Sequence, residues 1–207
     1  MINKAWFWKE SEGFLGNDEQ SKILFVMREP NSKGKEVVDG EFWFRDVVNP
    51  VNGLSTIDIR YFEILGKIAC LLLGKSDKTD ALKQCAYVNL YPKKGKGSRS
   101  NCYKCQLDRF LELEDEYHRW DIIESLPEKC IIVTMTDIAN AIKKVKRNSI
   151  MECCDEFYLS NSDKKFLSFS FTNSLGGEIK VYSIPHPKPQ NMKRDGFSES
   201  DINIGIR

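Results

Sequence analysis

An excess of charge of either sign is missing from this chain: 31 Lys and Arg stand against 30 Asp and Glu over 207 residues, a formal net charge of +1. That balance excludes the global attraction with which strongly basic proteins hold nucleic acid, so any such contact has to come from a local basic patch. Also missing is an uninterrupted apolar run of the roughly 20 residues that a membrane-spanning helix needs. The opening Met1-Ile2-Asn3-Lys4-Ala5-Trp6-Phe7-Trp8 is short and aromatic and runs into charge where a secretory leader has its cleavage site. The cysteine count is seven, an odd number, and without a leader it points to reduced thiols in a cytoplasmic protein. Internal repeats and low-complexity segments are absent as well, and the length suits one domain over residues 1–207.

What is present is an alternation of apolar runs and helical periodicity. Lys22-Ile23-Leu24-Phe25-Val26-Met27, Cys85-Ala86-Tyr87-Val88-Asn89-Leu90 and Cys130-Ile131-Ile132-Val133-Thr134-Met135 read as buried strands. Phe166 to Phe171 and Ile179 to Ile184 supply the last ones. Between them, apolar residues at Ile57, Tyr61, Ile64, Leu65, Ile68, Leu71 and Leu72 predict a core helix closed by Gly74. The stretch from Leu107 to Ser125 predicts one or two helices and places His118 on a solvent-facing surface. Asp137 to Ile142 begins another helix, with Thr136 or Asp137 as its cap. Continuous apolar strands alternating with helices predict an α/β fold, a three-layer α/β/α sandwich around a mostly parallel sheet.

Punctuation then singles out particular residues. The strand ending at Ile184 runs into Pro185-His186-Pro187-Lys188-Pro189, where a proline at every second position forbids helix and further sheet pairing. A stiff loop holding one of only two histidines at the carboxyl end of a sheet is where sites of open α/β folds lie, although a bare strand terminator has the same look. The strand ending at Met27 breaks at Arg28-Glu29-Pro30-Asn31, and the one from Cys85 ends in Asn89-Leu90-Tyr91-Pro92. A polar carboxamide closing an apolar strand either faces a ligand or is satisfied by a loop backbone.

In this order the signals resemble the uracil-DNA glycosylase superfamily. In that family the first strand ends in a GQDPY-type motif, a glycine-aromatic segment supplies a stacking phenylalanine, the next strand ends in asparagine, and the last ends in HPSP. Here Met27-Arg28-Glu29-Pro30-Asn31, Gly40-Glu41-Phe42-Trp43-Phe44, Val88-Asn89-Leu90-Tyr91-Pro92 and Pro185-His186-Pro187-Lys188-Pro189 take those places, spanning roughly residues 20 to 195. The resemblance implies a uracil-DNA glycosylase-like fold and a hydrolase that removes uracil or another deaminated base from single- or double-stranded DNA. It implies a monomer with no cofactor and no membrane association.

The same resemblance assigns roles residue by residue. Glu29 complements positive charge growing on the sugar and orients water, and His186 donates to the O2 of the departing base. Phe44 stacks on a flipped base, and Asn89 reads its O4 and N3–H edge, with Arg28 and Asn31 completing the substrate pocket. Lys93, Lys94, Lys96, Ser98, Arg99 and Lys188, with Lys193 and Arg194, contact phosphates, and Met192 is an apolar wedge for the vacated stack. Three positions depart from the family pattern: Arg28 for glutamine, Glu29 for aspartate and Asn31 for tyrosine. They support an alternative, a catalytically reduced glycosylase-fold protein that binds nucleic acid or a protein partner. Cleavage of a free nucleoside is a further reading. Cys102-x-x-Cys105 with Cys153-Cys154 lacks a second well-spaced pair, so no metal is expected.

The basic loop makes a measurable prediction. DNA affinity should fall with salt, and neutralising Lys94 and Lys96 together should reduce the log–log slope by about two. Filter binding between low and physiological salt reads this, and an unchanged slope removes the loop from the interface.

Overall fold

Five consecutive residues, Ile23 to Met27, are all apolar and all at most 2% exposed, which only a strand covered on both faces and paired on both edges achieves. In the computed structural model this strand is β2 (Ile23–Met27), and it pairs in parallel with β3 (Cys85–Asn89) on one side and β4 (Ile131–Met135) on the other. The structure describes residues 13–14, 21–27, 56–89, 118–151, 157–159, 167–184 and 204–206.

The remaining strands are β1 (Gly13–Phe14), β5 (Ile150–Met151), β6 (Phe157–Leu159), β7 (Ser168–Thr172), β8 (Glu178–Ile184) and β9 (Ile204–Ile206). Seven of the nine form one sheet in the order β1-β3-β2-β4-β8-β7-β5, and β6 and β9 pair separately. The four central strands β3, β2, β4 and β8 are parallel, while β1, β7 and β5 join antiparallel. The sheet is therefore mixed, with a parallel core. The run through Phe171 that sequence reading places among alternating parallel strands is instead one arm of an antiparallel hairpin with β8. Its turn, Asn173-Ser174-Leu175-Gly176-Gly177, is too short for a crossover and has the glycine a hairpin needs at Gly176, where φ is +81°.

The helices are α1 (Thr56–Leu73), α2 (Lys78–Leu82), α3 (Arg119–Glu124) and α4 (Thr136–Val145). In α1, Ile64, Leu65 and Ile68 are buried as the spacing predicts, Leu72 is half-buried, and Leu71 is exposed. The side chains of Ile57 and Tyr61 lie outside the described ones. Gly74 ends α1 in the left-handed region at φ +62°, and Lys75 N–H returns to the Cys70 carbonyl at 2.9 Å. No helix among the described residues is long and apolar enough to cross a membrane.

Two local expectations change. The cap of α4 is neither Thr136 nor Asp137: β4 runs straight into the helix, so Met135, the last strand residue, holds the cap position without a side-chain hydrogen bond. Asp137 then sits in the first turn, where its charge suits the helix dipole. His118 is not on a helix face but at the cap of α3, in the left-handed region at φ 51°, with Nδ1 2.9 Å from Asp121 Oδ2.

Right-handed crossovers set the layers. The step from β2 to β3 runs one way across the sheet, and the steps from β3 to β4 and from β4 to β8 run the other, so α1–α2 belong to one face and α3–α4 to the opposite one. The second face is visible in a polar clamp. Lys146, at the end of α4, lies 5.6 Å from the Trp120 ring centre of α3 and 5.5 Å from that of Phe171 on β7. Its Nζ sits directly against Glu124 Oε1, and both side chains are largely buried. Glu124 Oε2 accepts from Ser174 N–H at 2.6 Å, which fastens the β7–β8 turn to the end of α3.

Lys146→Ala should therefore cost about 3 kcal/mol, because it leaves a carboxylate buried without its cation. Urea unfolding measures this, and a loss of only a few tenths would reduce the clamp to an ordinary surface pair.

Candidate carboxyl-edge site

The parallel core ends on one edge. In the ladders Met27 pairs with Asn89 and Met135 pairs with Ile184, so the last residues of β3, β2, β4 and β8 form a row across the sheet. Three interstrand spacings separate the Asn89 end from the Ile184 end, about 14 Å. That is the edge where ligands of open α/β sheets bind.

Asn89 is the polar member of an otherwise apolar row of Met27, Met135 and Ile184, and it is 3% exposed. It lies on the same face of β3 as Tyr87, two residues earlier, by the strand's period of two. The Tyr87 hydroxyl donates to Asn89 Oδ1 at 3.2 Å, and this tyrosine is itself only 2% exposed. Phe25 stands beside Tyr87 in the ladder, so an aromatic pair underlies the carboxamide.

The penultimate row, on the other face, holds Val88, Val26, Thr134 and Ser183. Thr134 Oγ1 donates to the Val26 carbonyl at 2.6 Å, tying β4 to β2 beyond the backbone ladder. Ser183 Oγ is buried and without a hydrogen-bond partner among the described residues, a polar atom left in the core just below the edge.

Of the residues that sequence reading assigns to a site, Asn89 alone falls among the described residues. Its placement at the carboxyl end of a central parallel strand, buried, is as expected. Arg28, Glu29, Asn31, Phe44, Lys93, Lys94, Lys96, Ser98, Arg99, His186, Lys188 and Met192 lie outside them, as do Cys102, Cys105, Cys153 and Cys154. In sequence, Glu29 follows Met27 by two residues and His186 follows Ile184 by two, and both of those strands end on the Asn89 edge. Tyr87, Thr134 and Ser183 were missed. A polar group in the last three positions of an apolar strand was the available signal, and Tyr87 carries it two places before Asn89.

No group of three or more His, Cys, Asp or Glu side chains with metal-holding geometry occurs among the described residues. Three described cysteines, Cys70, Cys85 and Cys130, are free thiols. Burial pushes Cys130 up to about 12, and it pushes Cys85 up as well, with the neighbouring Cys130 and Cys70 adding to the effect. The Cys85 Sγ–H donates to the Ala81 carbonyl at 3.3 Å. Neutral thiols in this state are packing groups and not nucleophiles. Comparison with protein-family models and with curated proteins finds no match to this chain.

The thiols carry a pH prediction. Unfolded, Cys130 ionises from its ordinary 9.0, whereas folded it keeps its proton to about 12, so its contribution is intact below pH 9 and is lost as pH climbs through that window. Each such thiol should remove about 1.4 kcal/mol of stability per pH unit there. Denaturant titrations of the parent and Cys130→Ala at pH 8 and pH 10.5 check this: the loss between the two pH values should be smaller in the variant, and equal losses would refute it.

Proposed function

We propose that this chain hydrolyses the N-glycosidic bond of uracil or another deaminated base in DNA, on a uracil-DNA glycosylase-like α/β/α sandwich. The observation that carries this reading is the common edge: β2, β3 and β8, the strands that precede Glu29, end in Asn89 and precede His186, are parallel and terminate together. Asn89, buried at that edge, has the donor and acceptor needed to read the base.

Each residue then has a task. A nucleotide extruded from the stack offers its base to Phe44 for stacking and to Asn89 for hydrogen bonding, with Arg28 and Asn31 beside it. As the glycosidic bond lengthens, negative charge gathers on the base, and a neutral His186 imidazole donates one N–H to O2. Positive charge gathers on the sugar, where the Glu29 carboxylate opposes it and orients the water that completes hydrolysis. The longer side chain of Glu29 moves its carboxylate by about 1.5 Å relative to aspartate. A shift of that order costs about a hundredfold in rate unless the backbone compensates, so slow turnover is expected. Lys93, Lys94, Lys96, Ser98, Arg99 and Lys188 hold phosphates, and Met192 fills the gap left in the stack.

The test is base release from labelled oligonucleotides bearing uracil, hypoxanthine or xanthine, followed by alkaline cleavage of abasic sites. Release by the parent should fall roughly 10²- to 10³-fold in His186→Ala with DNA affinity nearly unchanged, since the lost donor acts on charge present only in the transition state. Equal release by the two proteins refutes the mechanism. DNA binding with no release from any of the three bases assigns the chain to the binding role that Arg28, Glu29 and Asn31 favour.

A further inference from the structure

A carboxamide is nearly symmetric in shape and opposite in chemistry at its two ends. Turned one way, Asn89 presents an N–H to a carbonyl and an oxygen to a ring N–H. Turned by half a revolution about its last bond, it presents the reverse. Deaminated bases carry a carbonyl beside a ring N–H, whereas cytosine and adenine carry an amino group beside a bare ring nitrogen. The orientation of the amide therefore decides which class the edge accepts, and something has to hold that orientation.

The geometry points to Tyr87 as the residue that positions Asn89 for lactam-type bases and against amino bases, an inference that rests on the function proposed above. Its hydroxyl donates to Asn89 Oδ1 at 3.2 Å, with both side chains at most 3% exposed. That contact occupies one of the two lone pairs of Oδ1, so the oxygen keeps capacity for a ring N–H while the amide nitrogen keeps two hydrogens to offer. In the turned orientation the hydroxyl proton would meet an amide N–H. Water could not replace the lost acceptor at this depth, and a buried donor left unsatisfied is costly. The lever is Tyr87 itself: one strand period below Asn89 on the same face, with Phe25 beside it in the ladder. The contact is long for an O–H···O bond, so its effect on selectivity is expected to be about tenfold.

Tyr87→Phe in the full chain removes the hydroxyl and keeps the ring. Calorimetric titration with free uracil and free cytosine should show the parent preferring uracil, and the variant losing that preference roughly tenfold with little change in melting temperature. A purely structural role would weaken both ligands alike and leave the ratio intact. An unchanged ratio overturns the role of Tyr87 while the proposed function stands, and a parent that binds neither base overturns both. Should the variant fail to fold, the parent decides alone: with ¹⁵N-labelled asparagine, the Asn89 carboxamide should give two separate, slowly exchanging proton signals, and rapidly exchanging or averaged signals overturn the inference.

Discussion

Everything in this fold depends on β2 having no free edge and no free face. A strand whose five side chains are all buried can place its backbone donors and acceptors only in the ladders to β3 and β4, because an unpaired amide at that depth costs several times a net hydrogen bond. Pairing on both sides fixes register with Asn89 on one flank and Thr134 on the other. Thr134 reinforces this by donating to the Val26 carbonyl, a side-chain bond between neighbouring strands that leaves β4 little freedom to slip. The carboxyl edge is level because the centre of the sheet has one way to pair.

The opposite end of the sheet is held by polar groups instead of apolar ones. Asn173 donates from Nδ2 to the Leu126 carbonyl and accepts on Oδ1 from Leu175 and Gly177 N–H groups, so one side chain organises the hairpin turn and ties it to the chain entering β4. Gly177 belongs to the same arrangement, since a Cβ there would lie 3.2 Å from the Glu128 Cα. With Lys146 and Glu124 beside it, this end is cross-linked by directional bonds that tolerate few substitutions. The candidate site and the clamp therefore sit at opposite ends of β8, one formed by chemistry suited to a ligand and the other by groups already paired with each other.

Strand positions were legible because strands covered on both faces are written as unbroken apolar runs, and Ile23 to Met27, Cys85 to Asn89 and Ile131 to Met135 match the expected spans within a residue. The direction of β7 was not, since hydrophobic pattern carries no sign. The information lay in the short glycine-bearing turn that follows it. Lys146 looked like any lysine at a helix end, and its burial against Trp120 and Phe171 arises from tertiary packing that local sequence does not encode. At the site, Asn89 was legible as a polar residue closing an apolar strand. Tyr87 was not, because an aromatic inside a strand is ordinarily core and its hydroxyl acquires a role only once strand period brings it under Asn89.

The joint between β4 and α4 has a mechanical consequence. With Met135 serving at once as the last strand residue and the helix cap, there is no linker at which the helix can swing independently of the sheet. Pulling on α4 loads β4 directly, and β4 is laddered to β2 on one side and β8 on the other. The middle of the carboxyl edge thus behaves as a fixed post: a ligand arriving there meets a stiff wall at Met135, and any adjustment in the width of the opening has to be made at its flanks.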